Sequence, residues 1–177
     1  HAHATHLIRQ IAGLNKGKYL HDEEQEAAPT DLCIGAACYP EKHAEALNLA
    51  TDIAYLKQKV DAGADYLVTQ MFFDNTKYFR FVELCRAEGI TVPIIPGLKP
   101  LTTLKHIAFI PKTFAIDLPQ PLATELMKCR SDADVKRVGI EWSIAQTKEL
   151  IAQRAPCVHF YTMGRSEAVR SIVGAVY

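Results

Sequence analysis

Gln70 is an amide set in the run YLVTQMFF (66–73), whose composition is otherwise that of a buried strand. Taking an amide out of water without partners costs roughly 1–3 kcal/mol, so something at this position must satisfy it. A carboxamide donates and accepts at once, which suits the paired N–H and C=O edge of a flat heterocycle. The competing reading is a core glutamine bonded to a neighbouring strand. A period of two would place Gln70 on one face with Val68 and Phe72.

Other residues carry chemistry in their spacing. Asp52, Tyr55 and Lys59 step by three and four and so form one polar stripe on a helix, either a ligand-binding face or a solvated one. His43 in YPEKH could serve as a general base, a metal ligand or a donor to a phosphate, although a lone loop histidine often does none of these. Arg165 in FYTMGRSE follows a strand-like run and opens a helix, where the dipole disfavours a cation; an anionic ligand would relieve that misfit, and a guanidinium grips a carboxylate with two prongs. The opening HAHATH offers histidines as a tag or a metal site, but an HxH pair without further ligands is a weak signal, and no metal is expected. No GxGxxG, P-loop, GxSxG or spaced ligand set occurs, which removes the commoner nucleotide-binding and hydrolase classes.

The elements that must position these residues follow from periodicity. Leu7, Ile8, Ile11 and Leu14 predict a helix over 4–15, and the polar stretch 16–30 reads as a loop. Strands are expected at 32–39, 66–73, 92–97 and 157–162. Helices are expected at about 44–62 (stopped by Gly63), from Asp74 or Asn75 to Gly89, at 102–110, at about 134–154, and from about 165 to 176, with a looser segment around PKTFAIDLPQPL (111–122). Strand, turn, helix, glycine, strand is the rhythm of βαβ units, so the expected class is α/β with a parallel sheet. Such sheets place ligands at the carboxyl ends of their strands. Those ends read Tyr39-Pro40-Glu41 with His43, Thr69-Gln70, Pro96 to Pro100, and His159 to Arg165.

The bulk numbers narrow the partners. With 49% hydrophobic and 23% charged residues the chain can build one core, and a single domain over 1–177 is expected. Twenty basic and twenty acidic side chains leave no field for nucleic acid or an anionic membrane, so small-molecule substrates are expected. No apolar run approaches the roughly 20 residues that span a bilayer, and a cytoplasmic protein is expected. The five cysteines form no CxxC pair and read as reduced packing residues.

Taken together, YPEKH (39–43), DIAYLKQKVDAGAD (52–65), TQMFFDN (69–75), IIPGLKP (94–100) and HFYTMGR (159–165) resemble the flavin-dependent, bacterial-type methylenetetrahydrofolate reductase family. The order and spacing match over 31–177, and HAHATHLI resembles the family's approach to its fourth barrel helix. The resemblance implies a (β/α)8 TIM barrel of which this chain holds the second half, the fifth to eighth strands. It also implies FAD as cofactor, NAD(P)H as reductant, and reduction of 5,10-methylenetetrahydrofolate to 5-methyltetrahydrofolate, a step of one-carbon metabolism and methionine synthesis.

Carried over by position, Ala4, Tyr39, His43, Asp52 and Lys59 would contact FAD. Gln70, His106 and Arg165 would contact the folate, with Gln70 on the pterin and also meeting the nicotinamide-bearing substrate. The chain departs from the family at Tyr55, where Asn is frequent, at Gln58, where Arg is frequent, and at His106, often Gln. The resemblance places the proton-donating Glu and the Asp that tunes the flavin ring before His1, so no catalytic residue is expected in these 177 residues and the chain alone should be inactive. A homo-oligomer is expected, because a half barrel would leave two strand edges unpaired. The rival from another class is a pterin or folate-binding module without redox chemistry.

Overall fold

The computed structural model describes residues 1–19 and 28–177. The elements run α1 (Ala4–Leu14), β1 (Gly35–Cys38), α2 (Leu49–Asp61), β2 (Tyr66–Thr69), α3 (Asn75–Ala87), β3 (Ile94–Ile95), β4 (Gly97–Leu98), α4 (Leu104–Phe114), α5 (Gln120–Lys128), α6 (Asp132–Ala152), β5 (His159–Phe160) and α7 (Glu167–Val176). All strand pairs are parallel: β1-β2-β3 form one sheet and β4-β5 a second. The fold is α/β, as alternation of strand and helix predicted. Part of the 16–30 stretch, residues 20–27, lies outside the described residues.

The helix starts are written in the sequence. Asn48 accepts from the Thr51 N–H, Asp74 from the Thr76 N–H, and Ser131 with Asp134 forms a reciprocal capping box. The Asn48 cap is why α2 begins at Leu49 rather than at 44: Ala44 to Leu47 stay in the loop after β1. Gly63 and Gly89, both at positive φ (117° and 75°), end the turns after α2 and α3.

Several expected boundaries move. The strands are shorter than their apolar runs, and VPIIPG does not make one strand. Pro96 sits between β3, which pairs with β2, and β4, which pairs with β5; lacking an N–H, it continues neither ladder, and its carbonyl accepts from the His159 N–H at 2.9 Å. α4 runs on past the expected end at 110, carrying Pro111 inside it, and ends on Ala115 in the left-handed region. The looser segment contains a further helix, α5, whose Pro121 lies in the first turn, where no intrahelical N–H is needed.

Side chains alternate across the sheet, so each strand has a helix-covered face and an open face. Cys38, Leu67, Ile94 and Leu98 join Ile53 and Leu56 of α2 with Tyr78 and Phe81 of α3 in one core under the helices. On the other face Gly35 and Ala37 are exposed, and Tyr66, Val68 and Ile95 only half-buried. A second core beyond the strand ends gathers Met71, Phe73 and Leu101 with side chains of α4, α5 and α6. Ile8 of α1 packs on Ile34 and Ala64 as a third.

The chain leaves β2 under tight control. Phe72, expected on the face of Gln70, is instead fully buried with Leu67 beneath the helices, because the bonds to β1 end with the Gln70 N–H and the period of two ends with them. The carbonyls freed by that departure are met from α6: Gln146 Nε2 donates to the Phe72 carbonyl (3.1 Å) and Trp142 Nε1 to that of Phe73 (3.0 Å). Asn75 Nδ2 returns a bond to the Gln146 carbonyl at 3.0 Å.

Candidate functional site

At the carboxyl end of β1, Tyr39 is half-buried and packs edge-on against His43, ring centroids 4.6 Å apart. The two are brought together by a tight turn in which Lys42 adopts φ 93°. α2 fixes this turn from outside. Its Asp52 carboxylate accepts the His43 backbone N–H at 2.7 Å, and Lys59, two helical turns on, donates from Nζ to the Ala37 carbonyl at 2.9 Å. Lys59 Nζ also lies 6.0 Å from the centre of the Tyr39 ring, within reach of a cation–π attraction. The stripe Asp52, Lys59 therefore faces the strand end, whereas Tyr55 between them is exposed. Cys38, Tyr39, Asp52, Leu56, Lys59 and Phe81 line a shallow recess here. Burial, reinforced by the Asp52 carboxylate, pushes the Tyr39 phenol above its ordinary pKa and keeps it protonated. The His43 Nδ1 accepts from the Glu45 N–H at 3.2 Å, which leaves the other ring nitrogen to act as donor.

Glu41, in the same turn, is the anchor. Its carboxylate takes the Lys77 amine of α3 and, at 3.1 Å, the Asp117 N–H; Lys77 also holds the Asp117 carboxylate at 2.6 Å. The Glu41 side chain is only 8% exposed, and its Oε1 is buried without a partner among the described residues. Burial raises the Glu41 pKa against the opposing pull of Lys77 and the Asp117 N–H.

Gln70 stands directly beside this group on the neighbouring strand. The β1–β2 register pairs Cys38 with Thr69, and the Gln70 N–H donates to the Cys38 carbonyl at 2.7 Å, which sets Gln70 opposite Tyr39. Alternation puts its side chain with Tyr66 and Val68, on the open face. Its Oε1 accepts the Met71 N–H at 2.9 Å, which orients the amide while leaving the Nε2 donors and one acceptor lone pair for a ligand.

Two residues that sequence reasoning passed over hold this platform. Thr69 Oγ1 accepts the Gly97 N–H at 2.8 Å, and the Tyr161 hydroxyl donates to the Thr69 carbonyl at 2.8 Å. The Tyr161 ring crosses Gly97 to get there: a Cβ on Gly97 would sit 2.3 Å from the Thr69 carbonyl oxygen and 2.7 Å from the ring. Tyr161 lies in HFYTMGR and Gly97 in IIPGLKP, but a tyrosine in an apolar strand reads as packing, and only the spatial meeting shows its bond.

His106 and Arg165 make no hydrogen bond to this group among the described residues. His106 is in the first turn of α4, its Nδ1 accepting the Thr102 N–H at 3.2 Å. Burial lowers its pKa, and the nearby Lys99 and Arg165 cations lower it further against the pull of Asp132, so the ring is neutral at pH 7. Arg165 is exposed in the turn between β5 and α7. Ala4 is exposed at the start of α1, and no hydrogen bond or core contact of the described residues joins it to the Tyr39 group. No group of three or more potential metal ligands, the opening histidines included, converges among the described residues. No described helix is long and apolar enough to cross a membrane.

Comparison with known proteins supplies the family. The methylenetetrahydrofolate reductase family model matches residues 4–176. A probable methylenetetrahydrofolate reductase (NADPH) of Caenorhabditis elegans is 39% identical over 142 residues, covering 79% of this chain and 21% of the relative. The 5,10-methylenetetrahydrofolate reductase of Escherichia coli K12 is 36% identical over 138 residues, covering 77% of this chain and 47% of the relative. This chain thus spans less than half the length of these relatives. Among solved structures, a Clostridium thermocellum protein described as binding two copies of 5-methyl-5,6,7,8-tetrahydrofolic acid superposes with a TM-score of 0.55 at 19% identity, over 82% of this chain and 53% of that one, which supports the shared fold. On the match of the family model from end to end, the chain belongs to the methylenetetrahydrofolate reductase family.

Proposed function

We infer that these residues form part of a (β/α)8 barrel that reduces 5,10-methylenetetrahydrofolate to 5-methyltetrahydrofolate with NAD(P)H and bound FAD. The observation that carries the reading is that Gln70 stands opposite Tyr39 at the strand end, with its amide oxygen held by Met71 and its amide donors without a partner among the described residues. The Clostridium thermocellum protein that shares this fold is described as binding 5-methyl-5,6,7,8-tetrahydrofolic acid, which supports a folate as the ligand.

The group around β1 fits FAD on chemical grounds. Lys59 makes no ion pair with a carboxylate among the described residues, and its amine is placed to meet a phosphate; Tyr39 and His43 offer ring edges; Ala37 adds little bulk to the open face. When bound, the flavin would supply hydride transfer from the nicotinamide to the folate. Asp52 orders the His43 turn through a backbone bond, Lys59 closes it on Ala37, and Gln70 grips and orients the pterin edge. His106 and Arg165 extend the folate site. The contribution of this chain to the reaction is therefore binding and orientation, and none of these residues is assigned as the proton donor.

The test is direct. The intact protein should carry a flavin absorption band and oxidise NAD(P)H only while methylenetetrahydrofolate or another acceptor is present. Gln70→Ala should weaken folate binding by about tenfold to a hundredfold, the loss of an orienting hydrogen-bonded pair worth about 1–3 kcal/mol, with flavin content unchanged. Folate binding without any flavin band would favour a non-redox folate-binding module instead; absence of both would overturn the assignment.

A further inference from the structure

The peptide unit that precedes Gln70 is held at both of its edges. Its N–H, on Gln70, donates to the Cys38 carbonyl of β1 at 2.7 Å, and its C=O, on Thr69, accepts the Tyr161 hydroxyl at 2.8 Å. A planar unit bonded at both edges cannot rotate about the flanking ψ and φ without losing one bond or the other. On the far side of the residue the Met71 N–H holds the Gln70 Oε1 at 2.9 Å. These bonds together set the direction of the amide, and only the one from Tyr161 reaches in from the second sheet.

The phenol stands in for a missing rung of the ladder. With Val68 opposite Ile95 in a parallel register, the next bond would run from the Gly97 N–H to the Thr69 carbonyl. β3 ends at Ile95, before Pro96, and the Gly97 N–H turns instead to the Thr69 Oγ1 at 2.8 Å. Thr69 is fully buried, so solvent offers its carbonyl no substitute donor. Tyr161 can reach that carbonyl because Gly97, in its path, has no side chain. Its backbone N–H is fixed on the Leu98 carbonyl at 2.8 Å, and its ring packs edge-on against His159, centroids 4.6 Å apart. Burial raises the phenol pKa, which keeps the hydroxyl a donor across the neutral range.

We propose that Tyr161 is a positioning residue for Gln70: by holding the Thr69 carbonyl, its hydroxyl fixes the Thr69–Gln70 peptide and hence the direction in which Gln70 presents its amide donors to the pterin. This deepens the folate reading above and rests on it. Tyr161 acts through Gln70 and needs no contact with the ligand. Its contribution therefore vanishes when position 70 has no amide to aim.

The test is a double-mutant cycle in the intact protein, read by calorimetric titration of 5-methyltetrahydrofolate, with melting by circular dichroism to check that each variant folds. Tyr161→Phe removes the hydroxyl and keeps the ring. Alone it should weaken 5-methyltetrahydrofolate by about threefold to tenfold, the order of one neutral hydrogen bond. In a Gln70→Ala background the same substitution should change the affinity by less than about twofold, a departure from additivity that a general loosening of the fold would not produce. Equal losses in the two backgrounds overturn the proposal, because the phenol would then meet the ligand or act elsewhere. Undiminished affinity in Tyr161→Phe also overturns it. Should Tyr161→Phe fail to fold, a tetrafluorinated tyrosine at position 161 keeps the shape and ionises at lower pH than tyrosine does. Its phenolate cannot donate, so the affinity should fall relative to the parent as pH rises, and only where Gln70 is present. His159, Cys38 and Tyr39, the titratable groups about the phenol, are common to both proteins, so the difference between the two profiles reports the hydroxyl. A difference that does not change with pH overturns the proposal. A parent protein that binds no 5-methyltetrahydrofolate, or loses nothing on Gln70→Ala, overturns the folate reading and this role with it, and the titrations without any change at Tyr161 tell that failure from the others.

Discussion

A single residue carried most of the chemical signal. Gln70 was legible because an amide inside YLVTQMFF conflicts with its surroundings, and in the structure it is half-buried just past β2 with its oxygen bonded to the Met71 N–H. Tyr161 was not legible, since its hydroxyl bond to Thr69 depends on a neighbour 92 residues away in sequence and on the missing side chain of Gly97. Glu41 is an intermediate case: YPEKH marked the turn, but nothing in the sequence announces that Lys77 and Asp117 close on it. Because burial raises the Glu41 pKa in the folded state, the stability this group contributes is full below its ordinary value and is lost as pH rises through the raised one. Glu41→Gln keeps an acceptor for Lys77 and the Asp117 N–H but has no charge to desolvate. The melting temperature of Glu41→Gln relative to the unmodified chain should therefore climb as pH rises through and above the ordinary carboxylate range. A difference that stays flat or falls over that interval would show that pairing with Lys77 outweighs burial.

Elements were read well where one local rule governed them and poorly where two competed. α1, α2 and α3 follow apolar periodicity, α2, α3 and α6 start on side-chain caps, and both kinds of signal are local. α5 was hidden because Pro119 and Pro121 read as loop, although proline is at home in a first turn. The single strand expected at 92–97 became two because Pro96 changes partners, a tertiary event invisible to period counting. α6 shows how position overrides propensity. Gly139 lies in the middle of this 21-residue helix, where alanine would ordinarily be favoured by about 0.5–1 kcal/mol. A Cβ there would stand 2.0 Å from the Leu101 carbonyl oxygen and 2.9 Å from the Leu101 N and C atoms, all backbone that cannot rotate aside. Gly139→Ala should thus destabilise by about 1–3 kcal/mol, seen as a lower urea midpoint with little change in slope. The same displacement would loosen Trp142 and Gln146 from the chain leaving β2, so folate affinity should fall along with stability. An alanine variant as stable as the parent would mean that α6 does not lie this close to Leu101.

At the scale of the whole molecule the sheet has an open face and open edges. β1 pairs only with β2, and β5 only with β4, so each of these strands keeps one row of backbone groups unpaired among the described residues. Near them, large apolar side chains are exposed: Leu47 is 88% and Met163 77% accessible, and Leu32 nearly half. The expectation of a parallel α/β chain was legible because every strand run is followed by a helical period; where the remaining strand neighbours come from was not, because an edge is defined by what pairs with it. An unpaired parallel edge next to exposed leucine and methionine is a template for another strand, and the cheapest source of one is a second copy of the chain. The 177 residues expressed by themselves should therefore associate, with a sedimentation coefficient that rises over a hundredfold range of concentration. A lysine on the open face of β1, Ala37→Lys, should suppress that association by adding charge to the edge while leaving the Ala37 carbonyl bond to Lys59 in place. Monomers at every concentration, with a cooperative melt, would show instead that the edges are protected without a partner and would remove the physical ground for expecting an oligomer.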